Sequence, residues 1–344
     1  MKKSFNILVI GVALIIAAAS CKEWVTPQPV QIKANSIQNT NPELYDQYCQ
    51  AVRNYKKGDH KLVYISFDNS TEKPVNGSQT FHYLPDSVDI VELIHPVMFD
   101  WTKKEMEELR AKFNTRFVIR VSYEKFRRDL NGKTRPKADV VADYLEEAEK
   151  VLAFAKQNDL DGITFEYEGK YQEHLTDSEL KTLRKDQDEV MEPVVEWLDR
   201  NGKKLFYFSG TPSKLLSDKD GGENYRDIAV NATAIILPTI SALAVYDVEY
   251  IYRQVVEPLD GVHNEFEDCP MLVETATLPL VEGDAVTGQY YEGAAIPLAA
   301  DWVGTDTENN KAGLVILNAE RDWNMGNNPY PVIHKAIKTM NPNS

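Results

Sequence analysis

The chain has 344 residues, with 38 Lys+Arg against 53 Asp+Glu for a formal charge of −15, 43% hydrophobic and 26% charged residues. This is the balance of a foldable globular protein and excludes disordered and fibrous classes. An acidic surplus without a basic tract also excludes nucleic acid and anionic lipid as partners, because phosphates must be neutralised by Lys or Arg.

The first element is a leader. Lys2 and Lys3 precede an apolar run from Ile7 to Ala19 that ends in small residues, the three regions of a secretory signal and too short for the roughly 20 residues of a membrane span. The end, Ala17-Ala18-Ala19-Ser20-Cys21, resembles the lipobox of bacterial lipoproteins, which implies cleavage at residue 20 and lipidation of Cys21. Ordinary signal cleavage beside a chance cysteine is the alternative. Removal of residues 1–20 leaves 36 basic against 53 acidic residues, so the mature chain is the more acidic. Cys49 and Cys269 either pair or stay as buried thiols. The six histidines are scattered and no Cys/His group has metal spacing, so no cofactor and no structural metal are expected.

Residues 21–41 are polar, carry Pro27 and Pro29, and read as a tether to a single domain spanning 42–344. Leu44, Tyr45, Tyr48, Val52 and Tyr55 then recur at helical spacing. Strand-like runs follow at Leu62, Val88, Arg116, Gly162, Leu205, Ala234, Met271 and Gly313. Between most of them lie amphipathic helices: Lys103 to Phe113, Val140 to Gln157, Ser178 to Leu198 behind a capping box at Thr176 and Glu179, Leu243 to Val256, and Val332 to Met340. The segment from Val281 to Lys311 reads as a long loop with one helical turn. Repeated βα units with near-continuous hydrophobic strands predict a parallel sheet covered by helices. Eight strands over this length fit a (β/α)8 TIM barrel. A doubly wound sheet shares the local pattern, but no phosphate-binding glycine loop is present.

Barrel chemistry sits at the C-terminal ends of the strands. The fourth run reads Asp161-Gly162-Ile163-Thr164-Phe165-Glu166-Tyr167-Glu168. Alternation puts Thr164, Glu166 and Glu168 on one face and Ile163, Phe165 and Tyr167 on the other. Two interior carboxylates must be paired or hold a proton. A flipped strand, or an ion network with Arg120 or Arg321, is the competing reading.

This segment resembles the fourth-strand signature of glycoside hydrolase family 18, Asp-Gly-x-Asp-x-Asp-x-Glu. Asp161, Gly162 and Glu168 match it, while Thr164 and Glu166 stand in place of aspartates. The family is a (β/α)8 barrel containing chitinases and endo-β-N-acetylglucosaminidases, with lipoprotein members in glycan-foraging Bacteroidetes. The resemblance implies that Glu168 protonates the glycosidic oxygen while the substrate's acetamide oxygen attacks the anomeric carbon, and that Glu166 steers the acetamide. It assigns Asp161, Thr164 and Ser122 to the substrate site. Trp323 becomes a sugar platform or plain packing. The sixth strand ends Leu237-Pro238-Thr239, without the Tyr-Asp or Tyr-Asn pair that commonly holds the acetamide.

Tyr290, Tyr291 and Trp302 are candidate groove aromatics or anchors of their own loop. Glu274 and Glu320 are candidate partners of sugar hydroxyls or solvated rim charge. Two functions follow: an exported, lipid-anchored glycosidase acting on N-acetylglucosamine-containing glycans, or a barrel that has lost hydrolysis and serves as a surface glycan-binding protein. Both imply an oligosaccharide or glycoprotein glycan as partner. Both imply membrane contact through the lipid alone, at the cell envelope, beside neighbouring glycan-uptake proteins.

Overall fold

Eight runs of β-branched and aromatic residues close into one parallel barrel: β1 (Leu62–Phe67), β2 (Ile90–Leu93), β3 (Arg116–Ser122), β4 (Gly162–Glu166), β5 (Leu205–Ser209), β6 (Ala234–Leu237), β7 (Met271–Ala276) and β10 (Lys311–Leu317). The computed structural model describes residues 37–128, 136–202, 204–216, 224–256, 266–278, 288–304, 310–323 and 328–342. Cys21 and the leader lie outside them. Every strand pairs in parallel with its sequence neighbours, and β10 closes the ring between β1 and β7. This confirms the (β/α)8 barrel.

The chain separates into units Met1–Gln47 and Tyr48–Ser344. The helix Pro42–Lys57 precedes the first strand. The barrel unit carries the helices Asp100–Phe113, Lys137–Gln157, Asp177–Asn201, Val245–Val256 and Pro331–Met340. Thr176 caps Asp177–Asn201, and both halves of its box with Glu179 form. Asn114, at φ 57°, ends Asp100–Phe113 in the left-handed conformation that frees the chain to enter β3. Cys49 and Cys269 are both buried and are not joined to each other by a disulfide. One expectation needs correction. The segment before the last strand holds a short hairpin, β8 (Gln289–Tyr290) with β9 (Gly293–Ala294), and a ten-residue helix, Ala295–Gly304. That helix is apolar on nearly all sides, so it lacks the stripe by which periodicity reveals a helix.

Alternation divides each strand. Ile65, Val91, Ile119, Ile163, Phe165 and Phe208 are fully buried on the face that alternates with the barrel interior. The interior positions Tyr64, Ile90, Val118, Tyr207, Ala234, Ile236, Leu272 and Val315 form a separate apolar cluster. With both faces buried, the strands read as continuous apolar runs.

Two aspartates tie the N-terminal ends of the strands. Asp89 accepts from the backbone N–H of Val63 at 2.9 Å, and Asp161 accepts from that of Phe117 at 2.8 Å while pairing with Arg110 at 2.8 Å and Arg116 at 3.2 Å. Gly162, next in sequence, lets β4 approach β5, because a Cβ there would lie 2.0 Å from the Leu205 carbonyl oxygen. Gly162→Ala is expected to destabilise the barrel by about 3 kcal/mol or more through backbone displacement. A drop in the thermal midpoint followed by circular dichroism would show it.

Candidate active site

Above the apolar cluster the interior turns polar. Tyr64 marks the change: its ring meets that of Tyr207 edge-on at 5.3 Å, while its hydroxyl donates to Glu92 and bonds the Thr164 hydroxyl at 2.6 Å. Thr164 is therefore an interior residue, as alternation requires, and it is engaged beneath the cavity.

The next interior layer gathers three carboxylates around one cation. Arg120 on β3 donates from Nε to Glu92 Oε1 at 3.0 Å and from Nη1 and Nη2 to Glu274 Oε1 at 3.3 Å. Its Nη1 also lies 3.8 Å from Glu166 Oε2. Glu166 is further held by the Ser122 hydroxyl, which in turn accepts the backbone N–H of Lys125 at 3.0 Å. The carboxylates come from β2, β4 and β7, so closure of the barrel assembles the group.

These residues line a cavity of about 520 Å³ at the C-terminal end of the barrel, with Ser66, Glu92, Arg120, Ser122, Glu166 and Glu274 on its polar side. Phe126, Tyr144, Val151 and Ile240 contribute apolar wall. That volume accommodates a sugar ring with its substituents. Burial pushes the Glu274 carboxyl up to about 7; Arg120 opposes the shift, and the like charges of Glu166 and Glu92 add to it. Burial also acts against the Arg120 charge, but Glu92, Glu274 and Glu166 outweigh it and raise its affinity for the proton. Glu274 thus exchanges a proton near neutrality while Arg120 stays charged.

Glu168 lies two residues beyond the end of β4 and outside the cavity lining. Its side chain is 44% exposed and its carboxylate accepts from Arg127 Nη2 at 2.9 Å. Glu124, buried, accepts the backbone N–H of Glu168 at 2.9 Å and also pairs with Arg127. Glu166, the last residue of β4, therefore stands in the cavity, and Glu168, two residues on, is held by Glu124 and Arg127 outside its lining.

The other sequence-derived residues scatter. Asp161 is at the opposite end of β4, where its ion pairs hold strands together, so its matching position marks register and not a sugar contact. Trp323, after β10, packs edge-on against Tyr83 at 5.0 Å and Tyr330 at 5.7 Å, covers Gly77, and does not line the cavity. Its arrangement is that of packing. Trp302 donates to Glu249 at 2.8 Å and stacks on Lys311 at 3.8 Å; Lys311 begins β10, which places this tryptophan at the far end from the cavity. Tyr290 is buried, whereas Tyr291 is 81% exposed and joined through its backbone N–H to the Leu243 carbonyl. Glu320 is half-buried in a 3-10 turn after β10, outside the cavity lining, and burial raises its carboxyl.

Glu92 and the central position of Arg120 do not stand out in the sequence patterns above. The signal is nevertheless there: Arg120 and Ser122 alternate with Ile119 and Val121, and Glu92 interrupts an apolar strand between Val91 and Leu93. Among the described residues no group of three or more His, Cys, Asp or Glu is disposed to hold a metal ion.

A model of the family described as glycoside hydrolase family 18, BT1044-like, matches residues 25–339. The chain belongs to that family. Among solved structures, this family 18 chain is similar to a selenomethionine form of BT1044 carrying a glutamate-to-glutamine substitution. That similarity has 18% identity over 88% of this chain and 95% of that one, at a TM-score of 0.55. It is also similar to the apo endo-β-N-acetylglucosaminidase of Cordyceps militaris, at 14% identity over 86% and 96% of the two chains and a TM-score of 0.54. At these identities the likeness is one of fold. No curated protein matches the chain.

Because Glu274 binds its proton more tightly in the folded chain than in the unfolded one, the native state loses stability as pH rises from the ordinary carboxyl range through about 7. Glu274→Gln lacks this loss. Relative to wild type, its thermal midpoint is expected to move upward between pH 5 and pH 8.

Proposed function

We propose that this family 18 protein is an exported, lipid-anchored glycosidase that hydrolyses N-acetylglucosamine-containing glycans with retention of configuration, assisted by the substrate's own acetamide. The observation that carries this reading is the end of β4, where Glu166 reaches the sugar-sized cavity and Glu168 follows two residues beyond the strand. Glu168 donates a proton to the glycosidic oxygen as the C1–O bond breaks. The acetamide oxygen closes on C1 to form an oxazolinium ion, and Glu168 then takes a proton from the water that opens it. Glu166, held by Ser122 beside Arg120, accepts from the acetamide N–H and lies against the developing positive charge.

This role requires Glu168 to part from Arg127 when a glycan enters, since that contact occupies the carboxylate oxygen outside the cavity. The pairing also favours the second reading, a surface glycan-binding protein, as does the end of β6, where buried Thr239 bonds the backbone of Glu274 instead of an aromatic hydroxyl facing the sugar.

For the enzyme, Glu168→Gln is expected to lower turnover of N-glycoproteins or chitooligosaccharides by orders of magnitude while oligosaccharide binding persists, because the acid acts in the transition state. Equal product release by both proteins, measured by mass spectrometry, removes the hydrolytic assignment to Glu168. Labelling with palmitate tests the anchor: wild type is expected to incorporate label and Cys21→Ser to lose it. Lipidation would leave the barrel at the cell envelope on a polar tether, next to glycan-uptake proteins that receive its product.

A further inference from the structure

A bound N-acetyl sugar presents an amide with two ends. Its N–H needs an acceptor, and its carbonyl oxygen needs a donor that also orients it toward C1. The cavity supplies the acceptor in Glu166. Of the donors on its wall, Arg120 is committed through Nε, Nη1 and Nη2 and Ser122 donates to Glu166, while the Ser66 hydroxyl and the Asn318 amide also line it. Glu274 differs. Its Oε1 accepts from Arg120, whereas its Oε2 has no hydrogen-bond partner among the described residues, in a side chain that is buried yet lines the cavity.

We propose that protonated Glu274 is the residue that holds the acetamide carbonyl of the bound sugar, donating from Oε2 while Oε1 remains on Arg120. The proposal rests on the reading of the cavity as an N-acetyl sugar site. It makes Glu274 a specificity-determining residue, because an anionic carboxylate at that place repels the carbonyl oxygen and a neutral carboxyl binds it. The surroundings keep the proton available. Glu274 faces Arg120 from β3, Glu92 from β2 and Glu166 from β4, while its strand neighbours contribute Ile236, Leu237, Val315 and Leu317, which carry no charge. His95, also on the cavity wall, is half-exposed and pairs with Asp68 at 3.4 Å. Burial, with Glu166 and Glu92 alongside, holds the Glu274 carboxyl up at about 7 against the opposing charge of Arg120.

Affinity for the acetamide is then present while Glu274 is neutral and lost as it ionises. In the Glu168→Gln chain, which separates binding from turnover, affinity for chitotriose measured calorimetrically is expected to fall about tenfold between pH 6 and pH 8, following a single titration near 7. The Glu168→Gln/Glu274→Gln chain, whose amide donates at any pH, is expected to show no such fall. Cellotriose, which lacks the acetamide, is expected to bind weakly and without this pH dependence. An unchanged fall in the double variant overturns the proposal, as does a flat profile or undetectable chitotriose binding in Glu168→Gln. Thermal melts at each pH confirm that the compared chains are folded. Failure of the catalytic reading is distinct: it appears as equal turnover by wild type and Glu168→Gln, whatever the binding profile.

Discussion

One guanidinium organises the upper interior of this barrel. Arg120 bridges carboxylates from β2 and β7 and lies beside a third from β4, so strands distant in sequence meet through a single side chain. Without it, three acidic groups would lie in a space where charge is poorly solvated, a burden of several kcal/mol per ion. The planar fork of Arg fits this position because Nε and the two Nη groups point to different partners, whereas the compact ammonium of a lysine would meet one wall of the barrel. The cavity and the placement of Glu166 both depend on this charge being present.

The composition of the interior follows from the same constraint. A barrel filled with apolar side chains to its upper end would have no acceptor for a sugar, and one polar to its lower end would lose the packing that holds eight strands closed. Tyr64 separates the two zones, ring downward against Tyr207 and hydroxyl upward to Glu92 and Thr164. Thr164 is neutral where the family pattern has an aspartate, and it meets the acidic layer above through the Tyr64 hydroxyl, which it shares with Glu92. The substitution at Thr164 and the acidic residues on β2 and β7 are thus parts of one arrangement of charge.

Much of this is legible in the sequence. All eight strands, the capping box at Thr176 and the interior face of β4 follow from period-two and period-3.6 patterns, which burial enforces locally. The aromatic candidates are not legible in the same way. Trp323 and Trp302 follow or precede strands in sequence, but which end of the barrel a loop residue reaches depends on packing against distant partners, Tyr83 and Tyr330 for the first and Glu249 and Lys311 for the second. Arg120 escapes notice as a hub because its partners lie 28 and 154 residues away, and no local pattern records them. The Ala295–Gly304 helix is hidden because uniform apolarity leaves no phase to read.

The aspartates at the lower end of the barrel carry a consequence for how such a protein changes over time. Asp89 and Asp161 fasten β1 to β2 and β3 to β4 through backbone N–H groups, whatever side chains those strands display above. A framework anchored in this manner ties strands at the end away from the cavity, through groups that take no part in lining it. Exchange of an aspartate for Thr164, or relocation of acidic groups to new strands, alters what the barrel recognises while its frame persists.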